Sequence, residues 1–197
     1  MADAGTLSDR QRAVYEKIVA GKRGQLAGPF RVALYSPELA DRWQALGEFL
    51  RYDSSLPPML SELAIIMTGR YWNAQVEWLI HASVAAEVGI ARDVIEAIRN
   101  GVVPEIKDAE QAAIYEFTRE LLEFGQVGDD VYQSLLRHID TVALVELTAL
   151  VGYYSMVAMT LNAHDVPLPD HGTAAPLDLP ANAELIKPTC LPALATE

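Results

Sequence analysis

Glu77 and His81 stand four residues apart in the run NAQVEWLIHASVAAEVG, residues 73–89. On a helix that spacing puts a carboxyl and an imidazole on one face, one turn apart. The pair is equipment for general acid–base chemistry. The imidazole exchanges protons near neutrality, and the carboxyl orients it or shares its proton. Placing residues 70 to 89 on one helix at about 100° per residue gathers Arg70, Ala74, Glu77, His81 and Ala85 into a stripe, with Trp78 beside it. Small alanines leave room above the helix, so the stripe reads as a pocket wall. A solvated face carrying an i, i+4 pair, contributing roughly 0.2–0.5 kcal/mol, is an equally simple reading.

The other chemistry-bearing residues take lesser parts. Arg70 is placed to bind a substrate carboxylate bidentately. Tyr71, Trp72 and Trp78 read as walls of the same pocket. His138 closes a helix, where a cation suits the dipole. His164 follows a long apolar helix and reads as solvated or structural. The methionines at helical positions, Met67, Met156 and Met159, are core filler.

The elements that must position these groups are helical almost throughout. Ser8 caps a first helix to about Ala20, and GKRGQLAGPFRVALYS, residues 21–36, reads as a glycine-rich connector. Ser36-Pro37 starts a helix to about Arg51. Pro57-Pro58 restarts the chain into a helix, and another runs from about Asn73 to Val88. A short helix covers Ala91 to Asn100. Asp108 caps a helix to about Phe124, and Asp129 begins one to about His138. Thr141–Leu161 is apolar for about the length of a membrane span, but it carries Glu146 and two tyrosines with no flanking basic cluster, so a buried core helix is expected. From Asn162 to Glu197 there are six prolines in 36 residues and little periodicity, which marks a tail. The expectation is an all-α fold. Its parts are an N-terminal helix and connector (1–35), a helical domain (36–163) and an extended C-terminal tail (164–197).

Composition narrows the partners. The chain has 197 residues, 51% hydrophobic and 21% charged, as a folded globular protein has. A net charge of −12 argues against nucleic acid and against an anionic membrane surface. An anionic substrate would need a local cluster of arginine or lysine working against that field. Arg51 and Arg70 are candidates, with Lys22, Arg23 and Arg31 in the connector. The lone cysteine, Cys190, forms no disulfide within the chain and no CxxC motif. The start MADAGTLSDRQR lacks a basic segment followed by an apolar run, so a cytoplasmic location is expected.

The run RYWNAQVEWLIHASVAAEVGI, then ARDVIEAIRNG and DAEQAAIYEFTRELL, resembles the carboxymuconolactone decarboxylase family over roughly Pro37 to Pro167. The most specific match is Asn73, Glu77, Trp78, His81, Ala85 and Gly89. The resemblance implies the all-α fold shared with AhpD-like alkylhydroperoxidases. The peroxidase branch carries a glutamate, a Cys-x-x-Cys and a histidine. Laid on this chain they fall at Glu62, Ala74, Glu77 and His81, so both thiols are absent and disulfide-based peroxide reduction is not expected. Glu62, Glu77 and His81 remain as acid–base equipment, with Glu62 reaching across from the preceding helix. Arg70, Trp78, Asn73 and Tyr71 are the expected substrate contacts.

The reaction that the resemblance implies is decarboxylation of a carboxylated lactone in aromatic catabolism, with no cofactor, since the substrate ring accepts the electrons. His81 would donate the proton or hold the oxyanion. A hydrolase or isomerase acting on another carbonyl compound and a non-catalytic small-molecule binder are the competing readings. A metal held by Glu77, His81 and either His164 or Glu62 is the rival chemistry, although the helix carries no HExxH and no second histidine. A homo-oligomer is expected, both from the apolar Thr141–Leu161 helix and from the family, which implies dimers, trimers or hexamers.

Overall fold

The computed structural model describes residues 4–26, 28–168, 174–179 and 187–195. A 3₁₀ turn at Ala4–Thr6 precedes nine α-helices among them, with no strand. Helix α1 spans Asp9–Ala20 and starts on a capping box, in which Ser8 and Gln11 satisfy each other's backbone amides. Helix α2, Gly28–Ala33, lies inside the stretch read as a connector. Pro29 near its start suits a first turn, and Phe30 anchors it in the core. Helix α3 (Pro37–Tyr52) begins on a proline, as expected.

Helix α4 (Pro58–Tyr71) is buried continuously from Leu60 to Arg70, its few polar side chains included, so it forms the axis of the bundle. It packs against α5 (Gln75–Glu87), α7 (Ala109–Phe124) and α9 (Thr141–Ala163). Asp108 and Asp140 cap α7 and α9 by accepting from Gln111 N and Ala143 N at 2.9 and 2.8 Å. Helix α6 is Arg92–Asn100, and α8 (Asp129–Leu135) stops a turn before His138.

Helix α9 is long and apolar enough to cross a membrane, yet half of that stretch is buried within the bundle. Leu147, Leu150, Val151, Tyr154 and Val157 face the core. Its outer side leaves Val142, Val145 and Met159 exposed. On α3, Leu39, Leu46 and Phe49 are exposed as well. The two helices run antiparallel. Ser55, just past α3, donates to Glu146 at 2.6 Å, and Gly47 lies directly under the Tyr153 hydroxyl, where any Cβ would overlap it.

Helix α5 begins close to Asn73, where a helix start was read, so residues 70–89 do not form the one helix on which Arg70 was placed beside Glu77. The chain turns at Trp72-Asn73-Ala74, where Asn73 adopts φ 53°. Asparagine tolerates that left-handed conformation better than most residues. Helices α4 and α5 therefore fold back as a hairpin, and Arg70 no longer shares a face with Glu77 and His81.

The described tail segments pack on their own chain. Leu177 and Leu191 are buried. Thr189 N donates to Tyr71 O at 2.8 Å, and Asn73 Nδ2 donates to Lys187 O at 2.8 Å. Gln75 pairs with the Leu177 backbone through both its carbonyl and its amide, at 2.8 and 2.9 Å. Further along, Leu191 N donates to Glu123 and Tyr115 Oη to Pro192 O.

Candidate active site

The α4–α5 hairpin sets the site. Because the helices run antiparallel, Glu62 on α4 comes level with His81 on α5, and Gly69 comes level with Glu77. Glu62 Oε2 lies 2.7 Å from His81 Nδ1, and both side chains are buried. An ionised carboxylate can only accept, so with Glu62 charged Nδ1 carries the proton and donates it. That leaves Nε2 for a ligand. Glu62, rather than Glu77, thus orients the imidazole.

Glu77 is 2% exposed, and neither of its carboxyl oxygens has a hydrogen-bond partner among the described residues. Gly69 makes room for it: a Cβ there would come within 3.3 Å of Glu77 Oε1. Burial, reinforced by the nearby Glu62 charge, pushes the Glu77 carboxyl well above its ordinary range. The group is a buried acid whose neutral form is favoured by its surroundings.

Glu77 and His81 open onto a cavity of about 520 Å³ between α2, α3, α5 and α9. Tyr153 and Tyr154 on α9, Arg51 at the end of α3 and Arg23 in the α1–α2 loop complete its polar lining. The His81 and Tyr154 rings meet edge to face at 5.0 Å and 85°. Burial raises the Tyr154 phenol strongly, against the pull of Arg51. Burial also pushes Tyr153 up to about 12, partly offset by Arg23. Both are therefore phenols, able to donate. For Arg51, burial opposes the charge, but Tyr154, Tyr52 and Glu62 outweigh it and the net shift is upward.

The remaining residues singled out from sequence go elsewhere. Arg70 donates to Arg99 O at 2.9 Å, to Thr189 Oγ1 at 2.8 Å and to Asn73 Oδ1. Its guanidinium binds the tail and does not line the cavity. Asn73 and Tyr71 are likewise engaged with the tail. Trp78 Nε1 donates to Ala175 O at 2.9 Å, and the ring lines a second cavity of about 430 Å³ beneath the tail. So the NxxxEWxxH run divides by helix face: Asn73 and Trp78 serve the tail, Glu77 and His81 the cavity. His164 lies at a different pocket, with Tyr35 and Thr160. Among the described residues, no group of three or more His, Cys, Asp or Glu side chains is placed to hold a metal ion.

Sequence reasoning did not assign Tyr153 and Tyr154 to the site. Their signal was there: two adjacent hydroxyls in a helix otherwise almost entirely apolar. Arg51 was read as a candidate contact for an anionic substrate, with Arg23 among the connector cations, and both line the cavity.

No protein-family model and no curated protein matches this chain. Solved structures do. An uncharacterized peroxidase-related protein from Silicibacter sp. TM1040 superposes with a TM-score of 0.69 at 14% identity, over 86% of this chain and 88% of that one. The alkylhydroperoxidase AhpD core protein from Ralstonia eutropha JMP134, also described as peroxidase-related and uncharacterized, gives 0.69 at 14%, over 86% and 90%. The debrominase Bmp8, as a cysteine-to-alanine variant in complex with 2,3,4-tribromopyrrole, gives 0.64 at 15%, over 86% and 94%. At such identities the likeness is one of fold: the chain has the all-α, AhpD-like helical bundle.

Proposed function

We propose that this chain is a cofactor-independent carbon–carbon lyase that removes carbon dioxide from a small cyclic acid, such as a carboxylated lactone. The observation that carries the reading is the Glu77 carboxyl, buried, shifted towards its neutral form and without a hydrogen-bond partner among the described residues, beside the Glu62–His81 pair on one cavity. A buried acid with no partner is costly to keep unless it is used. Decarboxylation of such a ring uses one.

In the proposed reaction the bond from ring carbon to carboxylate breaks, and its electron pair passes through the ring to the lactone carbonyl oxygen. The Tyr154 phenol donates a hydrogen bond to that oxyanion, an interaction typically worth about 3–4 kcal/mol in the transition state. Glu77 then delivers its proton to ring carbon and becomes a carboxylate. It regains a proton from solvent by way of His81, which Glu62 holds in place. The balance is one substrate carboxylate plus one proton giving carbon dioxide and the protonated ring.

The test is to supply carboxylated lactones to the purified protein and follow carbon dioxide release together with ring deuteration in heavy water. Wild type should release one carbon dioxide per deuteron fixed, and Glu77→Gln should lose about 10²–10⁴ in kcat. Ring opening without carbon dioxide release would transfer the same residues to a hydrolase. An unchanged Glu77→Gln rate would remove Glu77 as the acid.

A further inference from the structure

Arg23 and Arg51 stand out against the way this chain treats its other arginines. Arg119, largely buried, is held by Glu116, Glu120 and Glu123. Arg70, also buried, is bonded to a carbonyl, an amide and a hydroxyl. Arg23 and Arg51 come from separate segments, the α1–α2 loop and the end of α3, yet both line the cavity that holds Glu77 and His81. Neither forms an ion pair among the described residues. Arg23 Nη2 is buried without a hydrogen-bond partner. Each guanidinium lies over an aromatic ring, Arg23 on Phe30 at 4.6 Å and Arg51 on Tyr52 at 5.4 Å. Stacking of this kind fixes the plane of the fork.

A chain of net charge −12 has many carboxylates with which to neutralise two half-buried cations. Leaving both unpaired on one cavity creates a local positive site inside a negative molecule. We propose that Arg23 and Arg51 form an anion-binding subsite that holds a carboxylate which the substrate keeps throughout the reaction, distinct from the group that reacts at Glu77. The proposal rests on reading this cavity as the substrate site, but not on the reaction performed there.

The sign and size of the site define the ligand. Guanidinium forks match a carboxylate bidentately. Glu62 already acts on the Arg51 charge, so the positive charge left for a ligand suits a monoanion better than a dianion. A volume of about 520 Å³, walled by Phe30, Tyr153 and Val157, accepts a single ring with its substituents. The ligand class is therefore a small ring-bearing monocarboxylate.

Equilibrium binding to the intact protein tests this without turnover. The probes are benzoate, its neutral isostere benzamide, and phenyl phosphate. Benzoate should bind at least tenfold more tightly than benzamide. Arg51→Gln and Arg23→Gln should each weaken benzoate at least tenfold and leave benzamide unchanged, with Arg51→Lys in between. Circular dichroism identifies any variant that fails to fold, and the wild-type benzoate-to-benzamide ratio decides the matter by itself in that case. Equal binding of benzoate and benzamide would overturn the subsite. Tighter binding of phenyl phosphate than of benzoate would overturn its carboxylate assignment. Arginine-dependent benzoate binding in a protein that decarboxylates nothing would leave the subsite standing and remove only the lyase.

Discussion

His81 Nδ1 and Glu62 Oε2 lie 2.7 Å apart across two antiparallel helices, while Glu77, one turn from His81 on the same helix, makes no side-chain hydrogen bond among the described residues. The two carboxyls closest to the imidazole therefore do different work. One fixes the ring and the other waits as an acid. Removing the ring should be the more severe change: His81→Ala is expected to lower kcat by about 10²–10⁴. Glu62→Gln, whose amide oxygen can still accept from Nδ1, should lose less. Steady-state kinetics on the folded variants checks the order, and a larger loss in Glu62→Gln than in His81→Ala would contradict it.

The raised Glu77 carboxyl makes folding depend on pH. Its folded value lies above the ordinary 4.5, so between those two points the folded state binds more protons than the unfolded one. The contribution is fully present below about 4.5 and is lost as pH rises towards the folded value, at up to ~1.4 kcal/mol per pH unit. Glu77→Gln should remove that slope. Urea midpoints across the acidic and neutral range, compared between wild type and variant, measure the difference. Parallel curves would show that Glu77 ionises normally.

Gly47 lies where its α-hydrogen faces the Tyr153 hydroxyl. Gly47→Ala should push Tyr153 out of place and cost about 1–3 kcal/mol, as overpacking typically does. Gly152, one residue before Tyr153, has open space around its Cβ position. Gly152→Ala should cost nothing or gain up to about 1 kcal/mol from helix propensity. Thermal unfolding of the two variants separates a packing requirement from a general intolerance of α3 and α9 to change.

Asn73 combines a left-handed backbone with side-chain bonds to the tail. Asn73→Gly keeps the backbone conformation and loses the bonds. Asn73→Ala loses the bonds and adds backbone strain of about 1–2 kcal/mol. The alanine variant should therefore be the less stable by roughly that amount in denaturant titrations. Equal stability would mean that the turn relaxes without cost.

The exposed Val142, Val145 and Met159 on α9, beside Leu46 and Phe49 on α3, form the apolar side of the molecule. A homo-oligomer that covers this side is expected. Light scattering should give a mass above the 21.6 kDa of one chain, and Val145→Glu should lower it. A wild-type monomer would overturn the expectation.

Much of the fold was legible because helix starts are written locally. Pro37 and Asp108 announce α3 and α7, and the Glu77–His81 spacing holds because both residues sit within α5. The break between α4 and α5 was legible near Asn73, but the reversal of direction there was not. Trp72-Asn73-Ala74 contains neither glycine nor proline, and what holds Asn73 at positive φ includes residues more than 100 positions away. Arg70 was misplaced for that reason: on a continuous helix it joins the Glu77 stripe, and on a hairpin it cannot. Tyr154 was missed as a site residue, and Arg51 and Arg23 were named only as candidate cations without a place beside Glu77 and His81, because α9, α3 and the α1–α2 loop converge only in three dimensions. Helical periodicity says nothing of which helices meet.

The distance in sequence between the turn and its fastenings has a consequence for synthesis on the ribosome. Asn73 and Gln75 are made 116 and 102 residues before the Thr189 and Leu177 that secure them. Local contacts can form as the chain emerges, but the hairpin that carries Glu77 and His81 stays unfastened until translation has passed Thr189. Nascent chains that stop earlier carry every cavity-lining residue and lack the clasp. Assembly of the site is thereby coupled to synthesis of the segment from Leu177 to Thr189.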